Sequence, residues 1–452
     1  MTAHEKGKAT TIREAWAACD LGPLSGDKLH WYVDLSEARG EKPKSRLASY
    51  FDLCPDGEFM HAAFTGHRGC GKSTELLRLK DQWEGRWLVV YFEVTELLDP
   101  NDIAFSDLFL TTSMKVAEAF HEAGMPLDPE LLDNVERFAE TVIQETTRQT
   151  DKQLEAGAQA SGQAGLPFVA KLKARITSQL KASTQHKQTI RRIFERDVTR
   201  LITDTNLLLD NARHTLRERD GTQQTDLLFI LDNLDRLPPA AADRLIFQHG
   251  ELLKQLRAHV VYTVPVSEYH SPKGIDRVFP QHDILPMVSV FRFDRDEAQL
   301  GWEEARVEAI AEALERRVDT GAVFQTDELV GELARHSGGC LRHLMQLARS
   351  AFEAAHAREA DKVAKDDVDD ALRRMRFDFE RMIPPEHYPL LQEVARSKRV
   401  PNSDQGREAL YNLSVLEYDG GRGWNYVHPL VRQIERFAEE ARGQGRPQAP
   451  QE

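Results

Sequence analysis

Eight consecutive residues, Gly66-His67-Arg68-Gly69-Cys70-Gly71-Lys72-Ser73, fit the spacing GxxxxGK[ST]. The chemistry open to that spacing is phosphate binding. Glycines let successive backbone N–H groups turn inward onto phosphate oxygens, and a helix starting at the lysine adds the positive potential of its N-terminus. Lys72 can reach the β- and γ-phosphates of a nucleotide, the Ser73 hydroxyl can ligate Mg²⁺, and Thr74 assists near the α-phosphate. The competing reading is a glycine-rich structural turn. A strand before the loop and a helix after it are the context that phosphate binding requires, and both are expected here. Further on, the apolar run Leu227–Leu231 ends in Asp232, a carboxylate that a buried strand would deliver to the metal. Asn233 follows; it can orient a water but cannot accept its proton. Asp235 either substitutes for that acceptor or pairs with Arg236 at a surface.

These residues need elements to position them. The run FMHAAF at 59–64 leads into the glycine loop, KSTELLRLKDQW reads as a helix stopped by Gly85, and WLVVYFEV at 87–94 reads as a strand. Continuously apolar strands are buried on both faces, so strand, loop, helix and strand predict a βαβ unit in a parallel sheet. LLFIL at 227–231 and VVYTVPV at 260–266 are two more such strands. A helical insertion over 100–225 separates the second strand from the third. One helix begins at Asp128-Pro129, with Leu131, Leu132, Val135, Phe138, Val142 and Ile143 on one stripe. A second carries Ile190, Phe194, Val198, Leu201, Ile202, Leu208 and Leu209, and the two could pair as an antiparallel hairpin. Between them AGAQASGQAG (156–165) has the composition of a flexible connection.

The expected fold class is α/β: a parallel-sheet P-loop core with a large helical insertion, a helical lid and a C-terminal winged helix. The divisions, with the adenine-side and lid roles implied by the family resemblance given below, are an N-terminal linker and adenine-side segment at 1–57, the core at 58–298, the lid at 299–382, the winged helix at 383–440 and a disordered tail at 441–452. The last folded part reads as two helices, HYPLLQEVARSK and SDQGREALYNL, followed by VLEY and WNYV as alternating strands joined by DGGRG.

Composition narrows the class. The 452 residues carry 59 Lys and Arg against 73 Asp and Glu, a net −14, which argues against a protein that coats nucleic acid non-specifically. An apolar share of 41% excludes disorder throughout. The four cysteines, Cys19, Cys54, Cys70 and Cys340, are scattered without metal-ligand spacing, as in a reduced compartment. The N-terminus lacks the apolar core of a signal peptide, and no run approaches the ~18 residues of a membrane span, so a cytoplasmic location without membrane contact is expected. One island departs from the average. Residues 156–194 contain seven basic side chains, from Lys171 to Arg192, and no acidic one.

FTGHRGCGKSTEL and LLFILDNLDR resemble the Walker A and Walker B motifs of the AAA+ superfamily, in its origin-recognition-like and STAND-like branches. The resemblance runs in motif order over about 58–440. It implies a polar sensor at Thr263, an arginine finger at Arg277 (in GIDRVFPQHDILP) reaching a neighbouring subunit, and a second sensor at Arg342 (in SGGCLRHLMQLA) on the lid. His428, in YVHPLV, resembles the histidine of the STAND MHD motif, which touches the diphosphate; Pro429 replaces the aspartate, and the GLPL-type lid motif is missing. Trp31 or Tyr32 would stack on adenine, unless both are ordinary core. ATP or ADP with Mg²⁺ are the implied ligands.

The winged helix invites a DNA reading, yet over 385–440 seven basic residues face nine acidic ones. Arg407 is the lone basic residue on the candidate recognition helix, where groove readers carry several. A wing that contacts protein or autoinhibits fits better, and the island at 156–194 is the place for a polyanion, unless it is a solvated face. The leading expectation is an ATP-driven switch in which ATP closes the lid and winged helix onto the core and changes the homo-oligomeric or partner state, while slow hydrolysis resets it; the resemblance places such switches in bacterial conflict systems such as antiphage defence, with an effector protein as partner. The alternatives are a DNA-transaction ATPase (initiator, loader or transposition regulator) and a non-hydrolysing nucleotide-binding scaffold.

Overall fold

The computed structural model describes residues 7–40, 46–135, 137, 197–219, 221, 223–418 and 423–443. The basic island 156–194, the stretch 156–165, most of the helix expected from Asp128 and the tail beyond 443 lie outside the described residues.

The apolar runs form strands β1 (His61–Thr65), β2 (Trp87–Glu93), β3 (Asp226–Asp232) and β4 (His259–Val264). Every residue of β1, β3 and β4 is buried, because helices cover both faces of a parallel sheet. A fifth strand, β5 (His282–Ile284), is three half-buried residues at the sheet edge, too short and too polar to leave an apolar run in the sequence. The order is β2-β3-β4-β1-β5, all parallel.

Each face of the sheet has its own core. One face, through Ala63, Phe229, Leu231 and Tyr262, packs on the stem of the insertion. That stem is helix α2 (Phe105–Glu122) against α3 (Val198–Arg217), where α1 is Lys72–Trp83 after the glycine loop. Helix α3 packs on α2, whose apolar residues run nearly all round and mark a buried helix without a single stripe; the hairpin that α3 could form with the helix from Asp128 lies largely outside the described residues.

The other face, through Ala62, Phe64, Ile230 and Val261, belongs to one continuous cluster that takes in the lid and the winged helix. The lid comprises α4 (Glu304–Glu315), α5 (Glu328–His336), α6 (Leu341–Ala357) and α7 (Lys365–Met382). The segment expected as an N-terminal linker is folded onto this lid. Helix Ile12–Ala18, opened by a Thr11–Glu14 capping box, packs on α6, and Ala9 bridges to Val318. The winged helix comprises α8 (Tyr388–Ser397), α9 (Asp404–Tyr411) and an antiparallel hairpin of β6 (Val415–Tyr418) and β7 (Trp424–Val427). Its strands do not alternate in burial as the sequence suggested: all eight residues are buried. The reason is tertiary. The Met287 N–H donates to the Glu417 carbonyl and Met287 bridges to Tyr418, so the chain leaving β5 covers the wing's outer edge.

Candidate nucleotide-binding site

The glycine loop leaves the C-terminal end of β1, where parallel sheets bind ligands. Gly71 caps α1 without a side chain, so the first turn's N–H groups have no side-chain acceptor and point at the loop. Gly69 is left-handed at φ +88°, and a Cβ there would stand 2.5 Å from Cβ of Arg342, so only glycine lets the lid close this tightly on the loop. The Arg342 N–H donates to the Gly69 carbonyl at 3.2 Å.

Between loop, strand ends and lid lies a cavity of about 300 Å³. Gly69, Gly71, Lys72, Ser73 and Thr74 line it, with Arg342 from the lid and Asn233 and Asp235 from beyond β3. Trp31 and Tyr32 also line it and are only half-buried, so neither is ordinary core. Tyr32 donates to Glu75 and lies under the Arg78 guanidinium, 3.8 Å from the ring centre. The Thr74 hydroxyl accepts the Leu24 N–H at 3.0 Å, tying the N-terminal segment to α1.

Lys72 is buried and all three of its protons are engaged. Nζ donates to the Gly66 carbonyl at 2.8 Å, to the His67 carbonyl at 2.9 Å and to Asp235 Oδ2 at 2.8 Å. Burial alone would push its pKa down; the Asp235 carboxylate outweighs that and holds it up. Asp235 is the partner that holds this ammonium. It pairs with Lys72 in the interior, not with Arg236 at a surface, and its carboxylate is already committed.

Asp232 is fully buried behind the cavity wall. Its Oδ1 accepts the Asn233 N–H at 2.7 Å and its Oδ2 the Tyr91 hydroxyl at 2.6 Å. Asn233, held at φ +67°, donates its side-chain amide to Glu93. Glu93 ends β2 in register with Asp232 and lines the cavity. Burial first, and the neighbouring Asp232 second, raise its pKa above the ordinary carboxylate value. The sequence reading missed Glu93, though a signal existed: a carboxylate closing an apolar parallel strand faces the same edge as the phosphate loop.

The remaining expected residues scatter. Thr263 is buried beside β3, where its hydroxyl accepts the Leu234 N–H at 2.9 Å and donates to the Leu231 carbonyl at 3.2 Å, outside the cavity wall. Arg277 is exposed on the short helix Ile275–Val278, also away from the cavity. His428 is buried between lid and winged helix: its Nε2 is 3.1 Å from His343 Nδ1, and its ring centre is 4.5 Å from that of Phe379. The structure does not bring it to the cavity wall. Cys70 is buried within the loop, and burial pushes its thiol up.

Two loop residues reach the winged helix: His67 from outside the cavity wall, and Arg68 from within the cavity lining. His67, pushed down to about 3 by burial and by the Lys72 charge, is neutral; its Nε2 accepts the Glu417 N–H of the wing at 2.8 Å. Arg68 donates to the Tyr411 carbonyl at 2.8 Å and stacks on the Tyr411 ring at 4.4 Å. Helix α9, the candidate recognition helix, packs on the short helix Val266–Tyr269, with Arg407 3.5 Å from the buried Glu268. In this arrangement α9 is turned inward, onto the core.

A parallel sheet ordered β2-β3-β4-β1-β5, a phosphate loop after β1, a helical lid and a C-terminal winged helix define the class: the chain has an α/β P-loop fold. No family model and no curated protein matches the chain. Among solved structures it is similar to Cdc6p of Pyrobaculum aerophilum, at 11% identity and a TM-score of 0.39 over 95% of this chain and 98% of that one. It is also similar to the RuvB Holliday junction branch migration motor of Thermotoga maritima (10%, 0.34, 91% and 97%). A third is the ORC2 protein of Aeropyrum pernix (13%, 0.32, 96% and 98%). At these scores none of the three bears on the chemistry of this chain. Among the described residues no helix is long and apolar enough to cross a membrane.

Proposed function

We propose that this protein is an ATP-driven conformational switch in which occupancy of the phosphate loop controls docking of the winged helix. One observation carries the reading. His67 and Arg68, within the phosphate loop itself, are the residues that hold Glu417 and Tyr411 of the winged helix. Lys72 links the two events, since it now bonds the carbonyls of Gly66 and His67. A γ-phosphate would draw Lys72 away from those carbonyls and release the loop, and with it the grip on the wing. The ligand then binds the two states unequally, which is the requirement for any switch.

Mg²⁺ fits the donors available. Ser73 offers a hydroxyl in the cavity wall and Asp232 a carboxylate behind it, and Mg²⁺ keeps most of its shell for water and phosphate oxygens. When bound it neutralises charge on the β- and γ-phosphates. Arg342 lines the cavity and would meet phosphate from the lid, and exposed Arg277 would act on a second copy in an ATP-state homo-oligomer. An effector protein is the partner that an undocked, net acidic winged helix suits. A setting in antiphage defence and a cytoplasmic location rest on the sequence resemblance and composition alone. A DNA reader gains no support from α9, which is turned inward; the basic island 156–194 lies outside the described residues.

The test compares light scattering and small-angle X-ray scattering of the full chain with ADP, with a slowly hydrolysed ATP analogue and without nucleotide. The switch predicts different mass or radius in the analogue state. Identical curves in all three overturn it. ATP turnover lost in Lys72→Ala would exclude the non-hydrolysing scaffold.

A further inference from the structure

Hydrolysis of ATP needs a carboxylate or other base near the attacking water, and the position directly after Asp232 holds an asparagine that cannot take a proton. Four acidic residues line the cavity: Asp20, Glu75, Glu93 and Asp235. Three are committed elsewhere. Asp235 is 2.8 Å from the Lys72 ammonium. Glu75 pairs with Arg78 and Tyr32 on the outer side of α1, and Asp20 pairs with Lys28 in the N-terminal segment. Asp232 itself lies behind the wall with both oxygens occupied.

We infer that Glu93, delivered by the neighbouring strand, is the carboxylate that polarises the attacking water, with Asn233 as the residue that positions it. The parallel register sets Glu93 beside Asp232, so its carboxylate emerges at the same sheet edge as the phosphate loop. Asn233 donates to Glu93 Oε2, and among the described residues no second donor meets the carboxylate, which leaves Oε1 for a water. The carboxylate thus ends the strand beside the one that ends in Asp232, and the amide follows Asp232. The left-handed Asn233 backbone aims its side chain back across the sheet edge to β2.

This rests on the proposed ATPase reading. In the step, the water oxygen forms a bond to the γ-phosphorus while the bond from that phosphorus to the β–γ bridging oxygen breaks. One water proton passes to Glu93 Oε1, ADP and inorganic phosphate leave, and Glu93 returns the proton to solvent.

The experiment uses the full chain and three variants: Glu93→Gln, Asn233→Glu, and the exchanged pair Glu93→Gln/Asn233→Glu. Turnover is measured together with affinity for a slowly hydrolysed ATP analogue and with the nucleotide retained after ATP loading and desalting. Glu93→Gln should lower turnover about a hundredfold or more, the scale of a lost general base. Its analogue affinity should stay within about threefold of the parent, and it should retain ATP where the parent retains ADP. The exchanged pair should recover at least about tenfold of the lost rate, since it restores a carboxylate from the adjacent strand. Parental turnover in Glu93→Gln overturns this assignment alone. So does loss of analogue binding together with turnover, which marks a structural role. A parent that binds nucleotide without turning it over overturns both this assignment and the hydrolytic part of the switch.

Discussion

Replacing Arg68 with alanine tests whether the phosphate loop holds the winged helix down. Arg68 makes two contacts across that boundary, a 2.8 Å hydrogen bond to the Tyr411 carbonyl and a guanidinium stacked 4.4 Å from the Tyr411 ring centre. A hydrogen bond from a charged donor contributes about 1.5 kcal/mol at the low end of its range, and a half-exposed cation–π contact about 0.5–1 kcal/mol. One guanidinium makes both, so they are not independent, and about 2 kcal/mol is the working loss. That is about thirtyfold in the equilibrium between docked and undocked winged helix. The Glu417 amide is the reporter. Its N–H donates to His67 Nε2 across the boundary, so its protection depends on docking. Hydrogen exchange reads the opening free energy even where the open state is rare. In Arg68→Ala, Glu417 should exchange about thirtyfold faster while amides of β1, β3 and β4 keep their parental protection. Unchanged exchange at Glu417 would refute the reasoning. Equal acceleration in the core strands would do so as well, because the loss would then be global.

Removing Lys72 strands the Asp235 carboxylate in the interior, and breaking one side of a buried pair costs about 3–5 kcal/mol. Lys72→Ala should therefore melt well below the parent. Lys72→Ala/Asp235→Asn should regain most of that loss yet still fail to bind a fluorescent nucleotide; a double variant no more stable than the single one speaks against the pairing. Burial raises the Glu268 carboxyl from 4.5 to about 7 against the pull of Arg407. A raised carboxyl stabilises the fold while neutral, so its contribution is full below about pH 4.5 and is lost as pH rises through about 7. The melting temperature of Glu268→Gln relative to the parent should rise across that window, and a flat difference would remove Glu268 from the pH response. At Gly339, held at φ +80°, an added Cβ would lie 1.8 Å from the Val288 carbonyl oxygen. Gly339→Ala should lower stability by at least about 2 kcal/mol in chemical denaturation; a parental midpoint would mean that the lid shifts at no cost.

Much of the architecture was legible because its signals are local. Four buried strands announced themselves as continuous apolar runs, and the lid and winged helix followed from helical spacing and a hairpin turn. Strand β5 was not legible, since three residues at an edge, two of them polar, carry no pattern. Nor was the burial of β6 and β7 on both sides, which the covering chain around Met287 imposes. His428 illustrates the same limit: its likeness to a phosphate-sensing histidine is local, whereas its packing against His343 and Phe379 is tertiary.

By itself the sequence determined the phosphate loop and the strands that bracket it. A GxxxxGK[ST] loop works through consecutive backbone N–H groups, so its chemistry is written in neighbouring residues. Only the tertiary structure decided what the surrounding charges do. Lys72 is held by Asp235, Glu93 faces Asn233 from 140 residues away, and His67 meets Glu417 across 350 residues. Contacts of that separation depend on sheet order and on how the winged helix docks, and neither leaves a trace in local spacing. The loop was readable from its own residues; its link to the winged helix existed only once the chain had folded.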